Sequence, residues 1–379
     1  MADKAGFAYI GSWGYDVNAP EHGFTMWRTD GGGSLEPFGE SFKDIRVGGP
    51  CLHPALDVLY VPDERAEVWP DGGSQLLAVR LDRESGAMTE LNRVPSYGNA
   101  PAYCAVDGSG KYLLAANHGM NGMITCTERG SGGFRIRRRY DEANIALFRL
   151  NEDGSIGEVC DIWVAEGSGP LKSQKSAHPH SIMASPSGDV FVAGDLGADR
   201  VYSFVLDRKN GKLRKVSEYA ATPGSSPRYC AFHPTRPLVF VNYETRPFLA
   251  VFRYKETGEL EHLGDRYAFE ETGRTTAAAS DIRLHPSGNF LYNLDRERSE
   301  ITVFAVREED GALTAVQTVR AAGEWPKGCA VSLDGAYFYL CAKRSGFTSL
   351  YEIDTDGRLF DTGKRFPQPN PANVTFFPR

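Results

Sequence analysis

Two histidines one residue apart, His178 and His180 in "SAHPHSIM", are followed by Arg228, Glu244 and Arg296 at matching places in later near-copies of the same stretch. An imidazole can exchange protons near neutral pH. A pair of guanidinium groups recognises a carboxylate or phosphate and can stabilise negative charge as it develops. A glutamate can orient the imidazole or replace it as base. The set suits chemistry on a small anionic ligand. A zinc reading of the two histidines is weaker, because zinc takes three or four protein ligands and spacing marks no third. No metal and no cofactor is therefore expected. The chain carries no Gly-x-Ser-x-Gly turn, which disfavours a serine nucleophile.

Positioning such a set falls to a repeat that runs through the chain. "HPHSIMASPSGDVFVAGDLGADRVYSFVL", "SPRYCAFHPTRPLVFVNYETRPFLAVFRY" and "ASDIRLHPSGNFLYNLDRERSEITVFAV" share a short strand, a Pro-containing turn, a second strand, a polar loop and a third strand. Alternation of β-branched and aromatic residues reads as strand. A Gly-x-apolar hairpin signal recurs at Gly33, Gly86, Gly154, Gly211, Gly258, Gly311 and Gly357. The pattern predicts an all-β, seven-bladed β-propeller of four-stranded antiparallel blades, one domain over 1–379. Residues 7–13 lack a preceding strand and 372–378 lack a following one, so the two segments are expected to complete one blade.

In such a blade the start of the first strand and the end of the second lie on one face near the axis. Entry positions are then Gly48, Ala102, His180, Arg228, Ser280 and Lys327. Exit positions are Trp13, Glu64, His118, Asp195, Glu244, Arg296 and Lys343. Charges converging on one mouth are costly unless paired or used. Catalysis is assigned to His180, Glu244, Arg228 and Arg296, and substrate binding to His178, Asp195, His118, Lys327, Lys343, Glu64 and Trp13. His53, His233 and His285 fall in turns at the opposite face and are expected to be structural. Residues 119–142 form a basic insertion, read as a solvated hairpin or a lid near an anionic ligand.

The 379 residues carry a formal charge of -7, which argues against non-specific nucleic-acid binding. No apolar run approaches a membrane span and the start lacks an apolar signal core. Seven cysteines without a CxxC pair suggest neither a disulfide framework nor a zinc site. A cytoplasmic monomer or homodimer is expected.

On "HPHSIMASPSGDVFVAGDLGADRVYSF", "SPRYCAFHP", "FVNYE", "SDIRLHPSGNFLYNLDRERSEITVF" and "WPKGCAVSLDGAYFYL", the chain resembles the seven-bladed lactonase family. That family includes propeller-type 6-phosphogluconolactonases and fungal carboxy-muconate cycloisomerases. The resemblance places the family's His, Arg, Glu and Arg on His180, Arg228, Glu244 and Arg296, and implies opening of a small anionic lactone by activated water. A cycloisomerase of the muconate type, or a non-catalytic binding propeller, are the alternatives. The family's Pro-Arg-His of blade five is Pro227-Arg228-Tyr229 here, and its last-blade Pro-Arg is Pro326-Lys327. These changes lie around the expected pocket and leave the lactone unidentified.

Overall fold

The computed structural model describes residues 6–14, 21–269 and 273–378. They form seven four-stranded antiparallel sheets and one two-stranded hairpin. Blade 1 joins Gly6–Ser12, Phe24–Thr29 and Leu35–Ser41 to the C-terminal strand Pro371–Pro378, with Gly6 opposite Pro378 and Ile10 opposite Val374. The ring thus closes by the expected pairing. Blades 2 to 7 begin at Cys51, Pro101, Met183, Pro227, Ala279 and Pro326.

The second strands are buried along their length, as in Val58–Asp63 and Leu238–Tyr243, while the outermost strands alternate between buried and exposed. This follows from a sheet covered on both faces by neighbouring blades and wetted only at the rim. Blades are also bolted together by hydrogen bonds. The hydroxyls of Tyr9, Tyr60, Tyr292 and Tyr339 donate to the carbonyls of Gly86, Gly154, Gly357 and Gly33 in the adjacent blade. Gly86 has φ +74°, and a Cβ there would lie 2.4 Å from the Phe7 ring. Only glycine accommodates both the left-handed turn and that approach.

His53 and His285 make a related stitch at the far face. Each bonds through Nε2 to a carbonyl of the next blade, Gly110 and Gly335, at 2.9 Å, while Nδ1 faces backbone N–H groups of its own turn. His233 accepts at Nδ1 from Thr235 and Arg236. The insertion forms the hairpin Met123–Gly130 and Gly133–Tyr140 between the second and third strands of blade 3. It is largely solvent-exposed, with Arg135, Arg137 and Arg139 gathered around Glu128.

Candidate active site

Strand register fixes the ring of residues at the axial mouth. The pairs Pro179–Asp195, Pro227–Tyr243, Ala279–Asp295 and Pro326–Ala342 close the innermost ladder of blades 4 to 7. The residue after the second-strand member leaves the ladder, and the residue after the first-strand member lies just inside it, where in blades 5 to 7 a register shift leaves it out of the pairing. These are His180 and Leu196, Arg228 and Glu244, Ser280 and Arg296, and Lys327 and Lys343. Blades 1 to 3 contribute Trp13, Glu64 and His118, beside Ala372, Gly48 and Ala102.

Asp195 stands differently in the register from the other exit residues. It is the last ladder residue of its strand, one position short of the ring, where Leu196 stands. Its Oδ1 accepts hydrogen bonds from the backbone N–H groups of His178, Gly197 and Ala198. Asp63 and Asp295 hold the same strand-end place and likewise accept backbone N–H groups. Asp195 Oδ1 therefore ties a turn, while its Oδ2 is buried without a hydrogen-bond partner among the described residues.

Four ring residues form a connected chain. Arg228 is 1% exposed; its Nε lies 2.7 Å from Glu244 Oε2, Nη2 lies 3.2 Å from His180 Nε2, and Nη1 donates to the Ser280 carbonyl. Arg296 reaches the other Glu244 oxygen at 2.9 Å and anchors through Nε and Nη2 on the carbonyls of Ala278 and Ala279. Burial works against the Glu244 carboxylate, but Arg296 and then Arg228 overcome it and hold its pKa near about 2. Glu244 is thus a fixed anion between two cations and a poor base. It bridges the arginines; its ion pairs are to them and not to His180.

A guanidinium only donates, so His180 Nε2 must be the acceptor of the Arg228 contact and the neutral ring carries its proton on Nδ1. Burial, then the Arg228 charge, hold the His180 pKa well below its usual value. Its Nδ1 is buried without a partner among the described residues. His118 packs edge-on to His180 at 5.4 Å and stacks on His178 at 4.6 Å. His178 Nδ1 donates to the His118 carbonyl and His118 Nδ1 to that of Gly119. Burial and the neighbouring His178 push His118 down to about 4. Among the described residues no group of three or more His, Cys, Asp or Glu is arranged to hold a metal.

Across the mouth, the ammonium groups of Lys327 and Lys343 lie 4.3 and 4.2 Å from the centre of the Trp13 ring. The Trp13 indole and Glu64 share the wall here, and the indole favours the ionised Glu64 carboxylate. A cavity of about 320 Å³ runs down the axis from here. Trp13, Glu64, Tyr229 and Lys327 line its ring end, and Tyr103, Asp281 and Arg283 lie deeper. His180, Arg228, Glu244 and Arg296 are not part of its wall. Sequence reasoning missed Tyr103, Asp281 and Arg283. The signal was "SDIRL", where two charged residues alternate in an otherwise apolar first strand.

A family model, lactonase, 7-bladed beta-propeller, matches residues 50–376. The chain belongs to this family. It is 27% identical to a 6-phosphogluconolactonase of Bacillus subtilis over 308 residues, covering 81% of both chains. A 6-phosphogluconolactonase of Serratia proteamaculans is 26% identical over 347 residues, 90% of this chain and 91% of the other. Among solved structures, the periplasmic gluconolactonase PpgL of Pseudomonas aeruginosa superposes with a TM-score of 0.84 at 22% identity, covering 98% and 99% of the two chains.

Within this lactonase-family propeller, Tyr229 stands edge-on to His180 at 5.1 Å and to Tyr103 at 5.5 Å, with the Arg228 guanidinium 4.4 Å from its ring centre. Tyr229 and Lys327, two of the departures from the family pattern, both belong to the cavity wall. No helix among the described residues is long and apolar enough to cross a membrane.

Proposed function

We propose that this chain hydrolyses a small anionic lactone of the sugar-acid type. The observation that carries the reading is the His180–Arg228–Glu244–Arg296 chain beside an axial cavity, in a chain whose relatives are 6-phosphogluconolactonases. Opening a lactone requires attack of water on the ring carbonyl and stabilisation of the resulting oxyanion. Lys327, which lines the cavity, and Arg296, whose Nη1 is outside the bonds that anchor it, are the cations suited to the oxyanion and to an acidic substituent. Arg228 acts by position: its nitrogens hold His180, Glu244 and the Ser280 carbonyl together. His180, neutral with its proton on Nδ1, serves as a donor to the substrate and not as the base.

The purified chain, mixed with glucono-1,5-lactone or its 6-phosphate in weak buffer, should release acid faster than spontaneous opening, followed with a pH indicator. Background rates with both compounds and with dicarboxylate lactones would reject the reading. Closure of a muconate to its lactone, without hydrolysis, would move the chain to the cycloisomerases.

A further inference from the structure

With Glu244 fixed between two arginines and the His180 Nε2 lone pair committed to Arg228, the water that attacks a lactone still needs a proton acceptor. Among the described residues, Glu64 is the carboxylate at the ring end of the cavity, with Asp281 deeper in the same wall. Glu64 follows the second strand of blade 2 and faces the cavity beside Trp13 and Lys327. We propose that Glu64 is the general base of this site, taking a proton from the water that attacks the lactone carbonyl. The assignment rests on the lactone-hydrolase reading above.

The step balances without a further reagent. The oxygen of water bonds to the carbonyl carbon as one of its protons passes to Glu64. The bond between that carbon and the ring oxygen breaks, and the ring oxygen takes the proton back from Glu64 as it becomes a hydroxyl. The product acid then releases its own proton to solvent. Lys327, on the same cavity wall, is placed to hold the carbonyl oxygen while it is negative.

The electrostatics fit this role. Burial pushes the Glu64 carboxyl up, against the opposing pull of Lys327, Arg228, Arg46 and the Trp13 indole. Lys343 also faces it, and so does the Tyr229 hydroxyl. A raised carboxyl is a stronger base than an ordinary one. Since the carboxylate is the active form, turnover falls as pH drops through the raised pKa.

Glu64→Gln and Glu64→Asp test this with whichever gluconolactone the wild type opens. Glu64→Gln should lower kcat by roughly two orders of magnitude, with little change in KM, and should abolish the acid limb of the pH profile. Glu64→Asp should recover part of the rate and keep an acid limb. Turnover of Glu64→Gln within about threefold of wild type, with the limb intact, would overturn the assignment, since loss of a general base costs ~100-fold or more. A second readout needs no substrate. In protein labelled with 13C at glutamate carboxyls, the signal missing from either Glu64 variant should titrate well above the ordinary glutamate range. A signal titrating at about 4.3 would sink the assignment even if Glu64→Gln fails to fold. Raised titration in a wild type that opens no lactone would instead reject the lactone reading alone and leave Glu64 as the proton acceptor of this ring.

Discussion

Replacing Glu244 by Gln keeps the shape of the bridge but leaves Arg228 and Arg296, 1% and 7% exposed, facing each other without an anion. The depressed Glu244 pKa gives the scale. A fall from the ordinary value to about 2, at about 1.4 kcal/mol for each unit, corresponds to about 3 kcal/mol of stabilisation. That is an upper figure, because 26% of the Glu244 side chain remains exposed and water screens part of the attraction. It agrees with the roughly 3–5 kcal/mol lost when one partner of a buried pair is removed. At about 2.1 cal/mol/K of unfolding entropy per residue, the 379-residue chain should melt roughly 4 °C lower. The pH dependence has a defined sign. A depressed carboxylate contributes its full stability above the unfolded-state value of about 4.3 and loses it as pH falls toward about 2. Calorimetry at pH 7 and along an acid series would show the deficit of Glu244→Gln at neutral pH and its disappearance in acid. Glu218→Gln, which breaks exposed pairs with Arg200 and Lys215, serves as control and should cost at most ~1 kcal/mol. If Glu244→Gln melted within about 1 °C of wild type at pH 7, the bridge would not be holding the two arginines.

His180→Ala should reduce lactone turnover by about two orders of magnitude with a small change in melting temperature, and His178→Ala should cost less, because the His178 Nδ1–H is already given to the His118 carbonyl. Exhaustive chelation should leave activity intact, since the cations around the mouth repel a divalent ion; recovery of a chelated, inactive protein by one specific metal would contradict this. Excision of residues 122–140 should shift the melting temperature by no more than about 2 °C, because the hairpin is exposed on both strands. Gly86→Ala should destabilise by about 2 kcal/mol or more through overpacking on Phe7 and a strained φ, read out by urea titration.

How much of this was legible before the structure depends on what each signal encodes. Blade number and the shared terminal blade were readable because the repeat is written in hairpin glycines and period-two strands. The entry residues followed from Pro-containing turns of fixed offset. Asp195 and Leu196 could not be told apart as the exit residue, because Phe191 and Val192 are both apolar strand residues and counting from an apolar landmark left a one-residue slip open. Only ladder pairing resolves it, since one step changes which residue leaves the sheet. The partnership of Glu244 with both arginines, and the commitment of the His180 Nε2, depend on side-chain direction across blades 4, 5 and 6. No local pattern carries that information. Tyr103 and Arg283, 180 residues apart yet hydrogen-bonded at 3.2 Å, were hidden for the same reason.

The pairing of Gly6–Ser12 with Pro371–Pro378 has a consequence for how the molecule is made. During synthesis, which runs from the N-terminus, strand Gly6–Ser12 emerges before the other six blades with one edge open, and its partner comes off the ribosome only after them. Until then the chain is an open arc with a free edge, the kind of edge that invites pairing with another chain. Loop closure across the whole sequence adds entropy that grows only slowly with length, so the delay is a matter of timing more than of energy. The same adjacency brings residues 6 and 378 to neighbouring positions in one sheet. A short peptide joining that end of the sheet, with new ends opened in an exposed outer loop such as Asp82–Gly86, would give a circular permutant in which blade 1 is completed within one run of sequence.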